Sequence, residues 1–343
     1  NYCSIQAEDE LAAIGMALGA AWSGARAFTA TSGPGISLMS EFLGLAYFTE
    51  IPLVLFDVQR AGPSTGMPTR TQQSDILSAA FASHGDTRHV LLFPSEPAEC
   101  FEFAVKAFDL AERLQTPVIV LSELDVCMND WPCPRLTWDD NYQPDRGKVY
   151  SAGDLSQMDS FARYLDVDGD GICYRTLPGE HPKGAYLIRG SGHNKFGGYT
   201  EKADEYQEVV DRLRRKFDTA TGLVPEPVIE SGERADCAIV SSGSCDGAVR
   251  EARDKLAAEG IHADYMRIRA FPFSPSVAKF LSRYERVFVV EQNRDAQLRS
   301  LLQTETGVAG DKLIPVLSYG GMPIACTDII EPMSEKIAKG KAA

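Results

Sequence analysis

No stretch of this sequence approaches the roughly 18 uncharged apolar residues that a membrane-spanning helix needs. No charged-then-apolar leader opens it either, so the expectation is a chain that is not secreted. Basic residues are in deficit and scattered: 34 Lys and Arg stand against 48 Asp and Glu, a formal net charge of −14. Binding a phosphate backbone needs clustered cations, which argues against nucleic acid as a partner. The eight cysteines include no Cys-x-x-Cys pair. The closest couples, Cys127 with Cys133 and Cys237 with Cys245, have the wrong spacing for a zinc or iron–sulfur site. They are expected to be reduced and mostly buried. The five histidines (His84, His89, His181, His193 and His262) lack metal-ligand spacing. A serine-nucleophile elbow and a phosphate loop ending in Gly-Lys are missing too. If the chain takes part in electron transfer, the clusters must therefore sit on another chain.

What is present is the texture of a folded α/β protein, 44% apolar and 24% charged. Residues 6–23 have helical periodicity with a face of small residues (Ala12, Ala13, Gly15, Gly19, Ala20). A strand is predicted over 25–31, then a Ser-Gly-Pro-Gly turn, a helix over 37–49 and an apolar strand over 52–58. A helix over 76–83, a strand over 89–93, a helix capped by Ser95 and running to Leu114, and a buried strand over 117–121 follow. Short Val/Ile/Leu-rich strands between amphipathic helices predict a parallel sheet with helices on both faces. Such a sheet normally begins with a strand, whereas this chain begins with a helix; the expectation is N-terminal truncation. Residues 128–230 are rich in Pro, Asp and Gly, with little periodicity before a charged helix over 201–217, and read as a connecting, interfacial region. Strand–helix alternation resumes over 236–317 as a second, smaller α/β unit, and the tail 336–343 is expected to fray. The division is thus 1–127, 128–230 and 231–343.

Three constellations carry chemistry. Glu10 heads the small-faced first helix, where a carboxylate gains from the helix dipole; with Glu8 and Asp9 beside it, it also reads as part of a solvated N-terminus. The segment Arg60-Ala61-Gly62-Pro63-Ser64-Thr65-Gly66-Met67-Pro68-Thr69 follows a buried strand, at the end where open parallel sheets bind ligands. Arg60 offers a planar fork for a carboxylate, and Ser64, Thr65 and Thr69 offer hydroxyls, more than turn chemistry requires. Thr31-Ser32-Gly33-Pro34-Gly35 enters a helix from a strand and is either an anion cradle or a tight turn. A fourth motif, Asp166-Val167-Asp168-Gly169-Asp170-Gly171, starts like a calcium loop, but Leu177 stands where the closing glutamate belongs. Its Gly-Asp-Gly, with Asn194 downstream, lacks the preceding apolar strand of a metal-diphosphate motif and reads as an Asp-rich turn.

Together "AEDELAAIGMALGA", "TATSGPGISLMSE", "VQRAGPSTGMPTRTQQSD", "DGDGICYRTLPG" and "VEQNRDAQLRSLL" resemble the α subunit of 2-oxoglutarate (2-oxoacid):ferredoxin oxidoreductases over essentially the whole chain. The resemblance implies an α/β fold of two parallel-sheet domains, a thiamine diphosphate pyrimidine-binding domain (1–127) and a transketolase C-terminal-like domain (231–343). It implies CoA-dependent oxidative decarboxylation of 2-oxoglutarate to succinyl-CoA with reduction of ferredoxin, or the reverse; pyruvate, a branched-chain 2-oxoacid or a non-catalytic scaffold role are the alternatives. Glu10 would hydrogen-bond the pyrimidine ring nitrogen, and Ser32, Gly33, Pro34 and Gly35 would line the cofactor pocket. Arg60 would take the substrate carboxylate, with Ser64, Thr65 and Thr69 nearby. The thiamine diphosphate would be shared with a β subunit holding the Mg2+ and a [4Fe-4S] cluster, in a cytoplasmic αβ dimer of dimers. Ferredoxin would meet the complex elsewhere than on this acidic surface. The family's Tyr-Pro-Ile-Thr-Pro-Ser segment and its fused γ domain do not occur here.

Overall fold

Two five-stranded sheets frame the computed structural model, which describes residues 2–341. The first contains β1 (Phe28–Thr31), β2 (Leu53–Gln59), β3 (Val90–Leu92), β4 (Pro117–Glu123) and β8 (Ala270–Phe271), in the order β1-β2-β4-β3-β8. The second contains β5 (Val228–Glu230), β6 (Cys237–Ser242), β7 (Ala263–Ile268), β9 (Val287–Glu291) and β10 (Leu313–Leu317), in the order β10-β9-β6-β7-β5. Every residue of β4, β6 and β9 is buried, the signature of strands covered on both faces. Their pairings with β2, β3, β7 and β10 are parallel.

The two expected parallel sheets are present, each with one antiparallel strand added at an edge. β8 runs antiparallel to β3, pairing Leu91 with Phe271 and Leu92 with Ala270, and β5 runs antiparallel to β7. Both edge strands are too short to leave a periodic signal in sequence. Because β8 follows β7 in the chain, the second half of the sequence supplies an edge strand to the first sheet. One hydrophobic core joins Leu53, Leu55 and Ile119 to Val240, Ile268 and Leu298.

The helices of the first half are α1 (Glu10–Trp22), α2 (Gly33–Thr49), α3 (Ile76–Ala80), α4 (Pro97–Leu114) and α5 (Leu124–Met128). Next come α6 (Ala152–Gln157) and α7 (Ala203–Ala220), then α8 (Cys245–Ala258), α9 (Pro275–Leu281), α10 (Gln297–Thr306) and α11 (Cys326–Lys341). Several differ from expectation. α2 begins at Gly33, ahead of the expected 37, and α3 stops at Ala80. Ser95 does not cap α4: its N–H and hydroxyl donate to Glu99 Oε2 at 2.8 and 3.0 Å, while Glu96 holds the cap position. The tail expected to fray is helical through Lys341, the end of the described residues. Four of the eight cysteines are buried and three are exposed, so burial is less general than expected.

Residues 128–230 wrap the first sheet through buried charge. α7 presents Arg212 and Lys216 to Glu50, which follows α2, with Arg212 Nη1 and Lys216 Nζ at 2.9 and 2.8 Å from Glu50 Oε2. Burial alone would raise the Glu50 carboxyl; the two cations overcome it and hold the group below the usual carboxylate range. In the Asp166–Gly171 turn, Asp166 accepts the Gly169 and Gly171 N–H groups at 2.8 and 2.9 Å, and Lys148 pairs with Asp168 and Asp170 at 2.6 and 2.9 Å. These carboxylates already have partners within the chain. Among the described residues no cluster of three or more His, Cys, Asp or Glu is placed to hold a metal, and no helix is long and apolar enough to cross a membrane.

Candidate active site

The candidate residues converge at the carboxyl end of β2. Along β2, Leu53 and Leu55 face the core shared with α2, and alternation carries Asp57 and Gln59 to the same side. Arg60 follows directly. The segment after it is folded back by three backbone bonds: Ala61 N–H to Arg70 O at 2.8 Å, Met67 N–H to Ala61 O at 2.9 Å, and Arg70 N–H to Met67 O at 3.0 Å.

Two clefts open here. The larger, about 620 Å3, is lined by Gly33, Pro34, Arg60, Ser64, Asp75 and Tyr319 among others. The second, about 430 Å3 and more open, is lined by Glu10, Thr31, Ser32, Val58, Arg60 and Pro68 with Ala30 and Leu124. Arg60 lines both. Its Nε is buried without a hydrogen-bond partner, so the guanidinium retains unused donor capacity beside open volume, as a carboxylate receptor requires.

The structure separates the three consecutive acids at the N-terminus. Asp9 caps α1, accepting the Ala12 N–H at 2.8 Å, and Glu8 is exposed. Glu10 is the first helical residue and is partly buried at the second cleft. The Thr31–Gly35 turn brings α2 against it. A Cβ on Gly35 would fall 1.7 Å from Thr31 Oγ1 and 3.1 Å from Glu10 Cγ, so only glycine permits the approach. Ser32 lines the second cleft, whereas Gly33 and Pro34 line the first. Ser64 reaches the first cleft; Thr65 and Thr69 stand exposed on the loop and line neither.

Sequence reasoning missed a carboxyl pair beneath this turn. Asp57 is fully buried and Asp75 is 8% exposed. The two carboxyls lie close enough to act on each other's ionisation. Burial, then repulsion from Asp75, raises Asp57 well above the ordinary carboxyl range; burial also pushes Asp75 up to about 6. The Asp75 carboxyl lies against Gly33 at the start of α2, where the backbone N–H favours its anion, so negative charge there is supplied by the protein itself. A lone acid inside Leu-Val-Leu-Phe-Asp-Val-Gln was the available signal for Asp57. Asp75, in a polar run, gave none.

A second missed cluster lies where the two sheets meet. Glu123, at the end of β4, accepts the Ser244 N–H at 2.7 Å and the amides of Gln73 and Gln292 at 3.1 and 3.2 Å. Gln73 also accepts the Gln292 N–H at 3.0 Å. Burial dominates these bonds and pushes Glu123 up to about 7.

Comparison with known proteins bears on this arrangement. The family model of the pyruvate flavodoxin/ferredoxin oxidoreductase thiamine diphosphate-binding domain matches residues 2–140, and that of pyruvate:ferredoxin oxidoreductase core domain II matches residues 235–327. The α subunit of 2-oxoacid:ferredoxin oxidoreductase 2 from Aeropyrum pernix is 36% identical over 343 residues, covering 98% of this chain and 52% of that one. The KorA subunit of 2-oxoglutarate synthase from Methanothermobacter thermautotrophicus is 34% identical over 316 residues, covering 91% of this chain and 81% of its own length. The chain belongs to the family of 2-oxoacid:ferredoxin oxidoreductase α subunits. Among solved structures, the 2-oxoglutarate:ferredoxin oxidoreductase from Magnetococcus marinus, bound to 2-oxoglutarate, coenzyme A and succinyl-CoA, superposes with a TM-score of 0.86 at 32% identity. That match covers 97% of this α-subunit chain and 57% of the other. A split-gene transketolase shares the fold alone, with a TM-score of 0.53 at 13% identity. The chain spans about half the length of the first curated relatives it matches, 52 to 53%. The resemblance read from the motifs and the expected pair of α/β folds are both borne out.

Proposed function

We propose that this α-subunit chain supplies the pyrimidine and substrate-carboxylate half of a thiamine diphosphate active site that oxidatively decarboxylates 2-oxoglutarate. The observation that carries the reading is Arg60, with a buried, unpartnered Nε at the wall common to two clefts, one of which has Glu10 at its rim. The second cleft joins one carboxylate and the Ser32 hydroxyl to apolar walls from Ala30, Val58 and Leu124. That set suits a flat heteroaromatic ring with one ring nitrogen to hydrogen-bond. Apart from Arg60 no cation lines it, so a diphosphate and its metal would be held by another chain.

Thiamine diphosphate, when bound, supplies the carbon nucleophile that makes decarboxylation of a 2-oxoacid possible. This chain's residues would do the rest of the local work. Glu10 would hold a hydrogen bond at the pyrimidine ring nitrogen, and Ser32 to Gly35 would wall the ring. Arg60 would fix the substrate carboxylate, with Ser64 beside it and Thr65 and Thr69 joining where a partner chain covers the loop. A β subunit would bring the Mg2+ and a [4Fe-4S] cluster, pass electrons to ferredoxin and allow coenzyme A to take the acyl group as succinyl-CoA. The working assembly would be an αβ dimer of dimers in the cytoplasm, where free thiols stay reduced. Residues 1–127 and 231–343 are assigned as the pyrimidine-binding and transketolase C-terminal-like domains, bridged by 128–230.

The test is co-expression with the β partner and assay of ferredoxin or dye reduction against a panel of 2-oxoacids with coenzyme A. 2-Oxoglutarate is expected to give the highest kcat/KM. Preference for pyruvate or a branched-chain acid would move the substrate assignment, and an inactive reconstituted complex would favour a scaffold role.

A further inference from the structure

Asp57 and Asp75 have no role in the scheme above, yet they sit between its parts. Asp57 projects from β2, three residues before Arg60, and has no exposed surface. Neither of its carboxyl oxygens has a donor among the described N–H and O–H groups, and Asp75 Oδ2 lacks one as well. Asp75 is fixed more firmly. Its N–H donates to Gln59 Oε1 at 3.0 Å, and the Ser74 hydroxyl lies 3.3 Å from its Oδ1 and 2.9 Å from the Arg60 carbonyl. A Cβ on Gly33 would come within 2.5 Å of Asp75 Oδ1, so the carboxyl is pressed against the first turn of α2. Asp75 also lines the larger cleft, with Arg60. Two adjacent carboxylates buried with so few donors cannot both stay ionised, since like charges at contact in a poorly solvated site are mutually destabilising. A proton between them supplies the missing donor.

We propose that Asp57 and Asp75 hold one proton between them as positioning residues behind Arg60, and that a carboxylate entering the Arg60 cleft draws a second proton onto the pair. The charge arithmetic is local. In the free protein the pair carries one negative charge, which faces the Arg60 guanidinium. An incoming carboxylate competes for that guanidinium and adds a negative charge nearby, which favours the neutral pair; the extra proton comes from solvent and lands on the Asp75 carboxylate. On β4, the strand paired with β2, the buried Glu123 stands opposite Gln59 and is held by Gln73, Gln292 and Ser244. Arg294 and Asp295, at the far wall of the cleft, are exposed and paired with each other at 2.8 Å. α2 presents no charge before Glu41, which faces His84 at 3.7 Å. α3 carries none, and Glu10 of α1 approaches Gly35, whereas Asp75 approaches Gly33. The cleft thus takes an anion without accumulating negative charge.

The proposal rests on Arg60 being the carboxylate receptor, and two measurements on the αβ complex keep the ideas apart. Infrared spectroscopy of the ligand-free complex near neutral pH should show, beside any band from the buried Glu123 and Glu291, a neutral-carboxyl band that Asp57→Asn removes and Glu123→Gln leaves in place. A spectrum with no Asp57-dependent band overturns the shared proton, whatever binds. Calorimetric titration with glutarate, an unreactive dicarboxylate, in two buffers of different ionisation enthalpy should show net proton uptake approaching about one per site. Asp75→Asn keeps an oxygen toward Gly33 and should bind glutarate with no proton uptake and a flattened pH dependence. Binding that depends on Arg60 but exchanges no protons overturns the coupling and leaves the receptor intact. Binding unaffected by Arg60→Ala overturns the receptor, and with it the coupling.

Discussion

Glu10 and Arg60 differ in what their removal should cost, because one is a surface-accessible helix start and the other has its Nε buried. Glu10→Gln removes the charge at the first turn of α1 but disturbs no packed side chain. The variant should keep its thermal stability within about 1 kcal/mol while kcat of the reconstituted complex falls by about 10²-fold or more. Near wild-type turnover would remove Glu10 from the site. Arg60→Ala deletes charge-assisted hydrogen bonds worth about 1.5–3 kcal/mol each, so kcat/KM should fall by about 10–100-fold. Steady-state kinetics against 2-oxoglutarate check this, and unchanged constants would place the carboxylate elsewhere. Both residues were legible in the sequence because each stands in an unusual local setting, an acid heading a small-faced helix and an arginine ending a buried strand. Asp57 was legible only as an oddity within an apolar strand, and Asp75 was not, since its partner lies outside its own segment and only the fold joins them.

At the scale of elements, amphipathic periodicity located the long helices and the apolar strands, whose burial is decided by their own composition. β5 and β8 escaped because a two- or three-residue edge strand is defined by its partner rather than by a pattern. The role of α7 escaped for a similar reason. Its charged sequence reads as part of a connecting, interfacial region without showing which charges are buried; Arg212 and Lys216 are buried on Glu50 at the end of α2. Glu50→Ala would strand two buried cations and should cost about 3–5 kcal/mol in chemical denaturation. Replacing all three with apolar residues of similar volume should restore most of that loss. If Glu50→Ala is instead neutral, α7 is not held by this cluster.

Across the whole molecule, the carboxyl ends of the two sheets meet at Glu123, whose folded pKa is raised from 4.5 to about 7. A carboxyl raised in the folded state contributes stability in full below its unfolded value and loses it as pH rises through the folded one. The junction should therefore weaken between about pH 4.5 and 7. Glu123→Gln should flatten that slope and gain up to about 3 kcal/mol on the wild type at alkaline pH. Melting curves across this range check it, and parallel profiles for the two proteins would refute it.

The antiparallel pairing of β8 with β3 also has a consequence for how the chain is made. Leu91 and Leu92 leave the ribosome long before Phe271 and Ala270, their partners. Until those residues emerge, the nascent first sheet keeps the outer edge of β3 open, an edge on which other chains can pair. The two halves of the sequence thus fold with a built-in order. Expressed alone, residues up to 230 should carry this unprotected edge into solution and self-associate, and supplying the second half in trans should suppress that association.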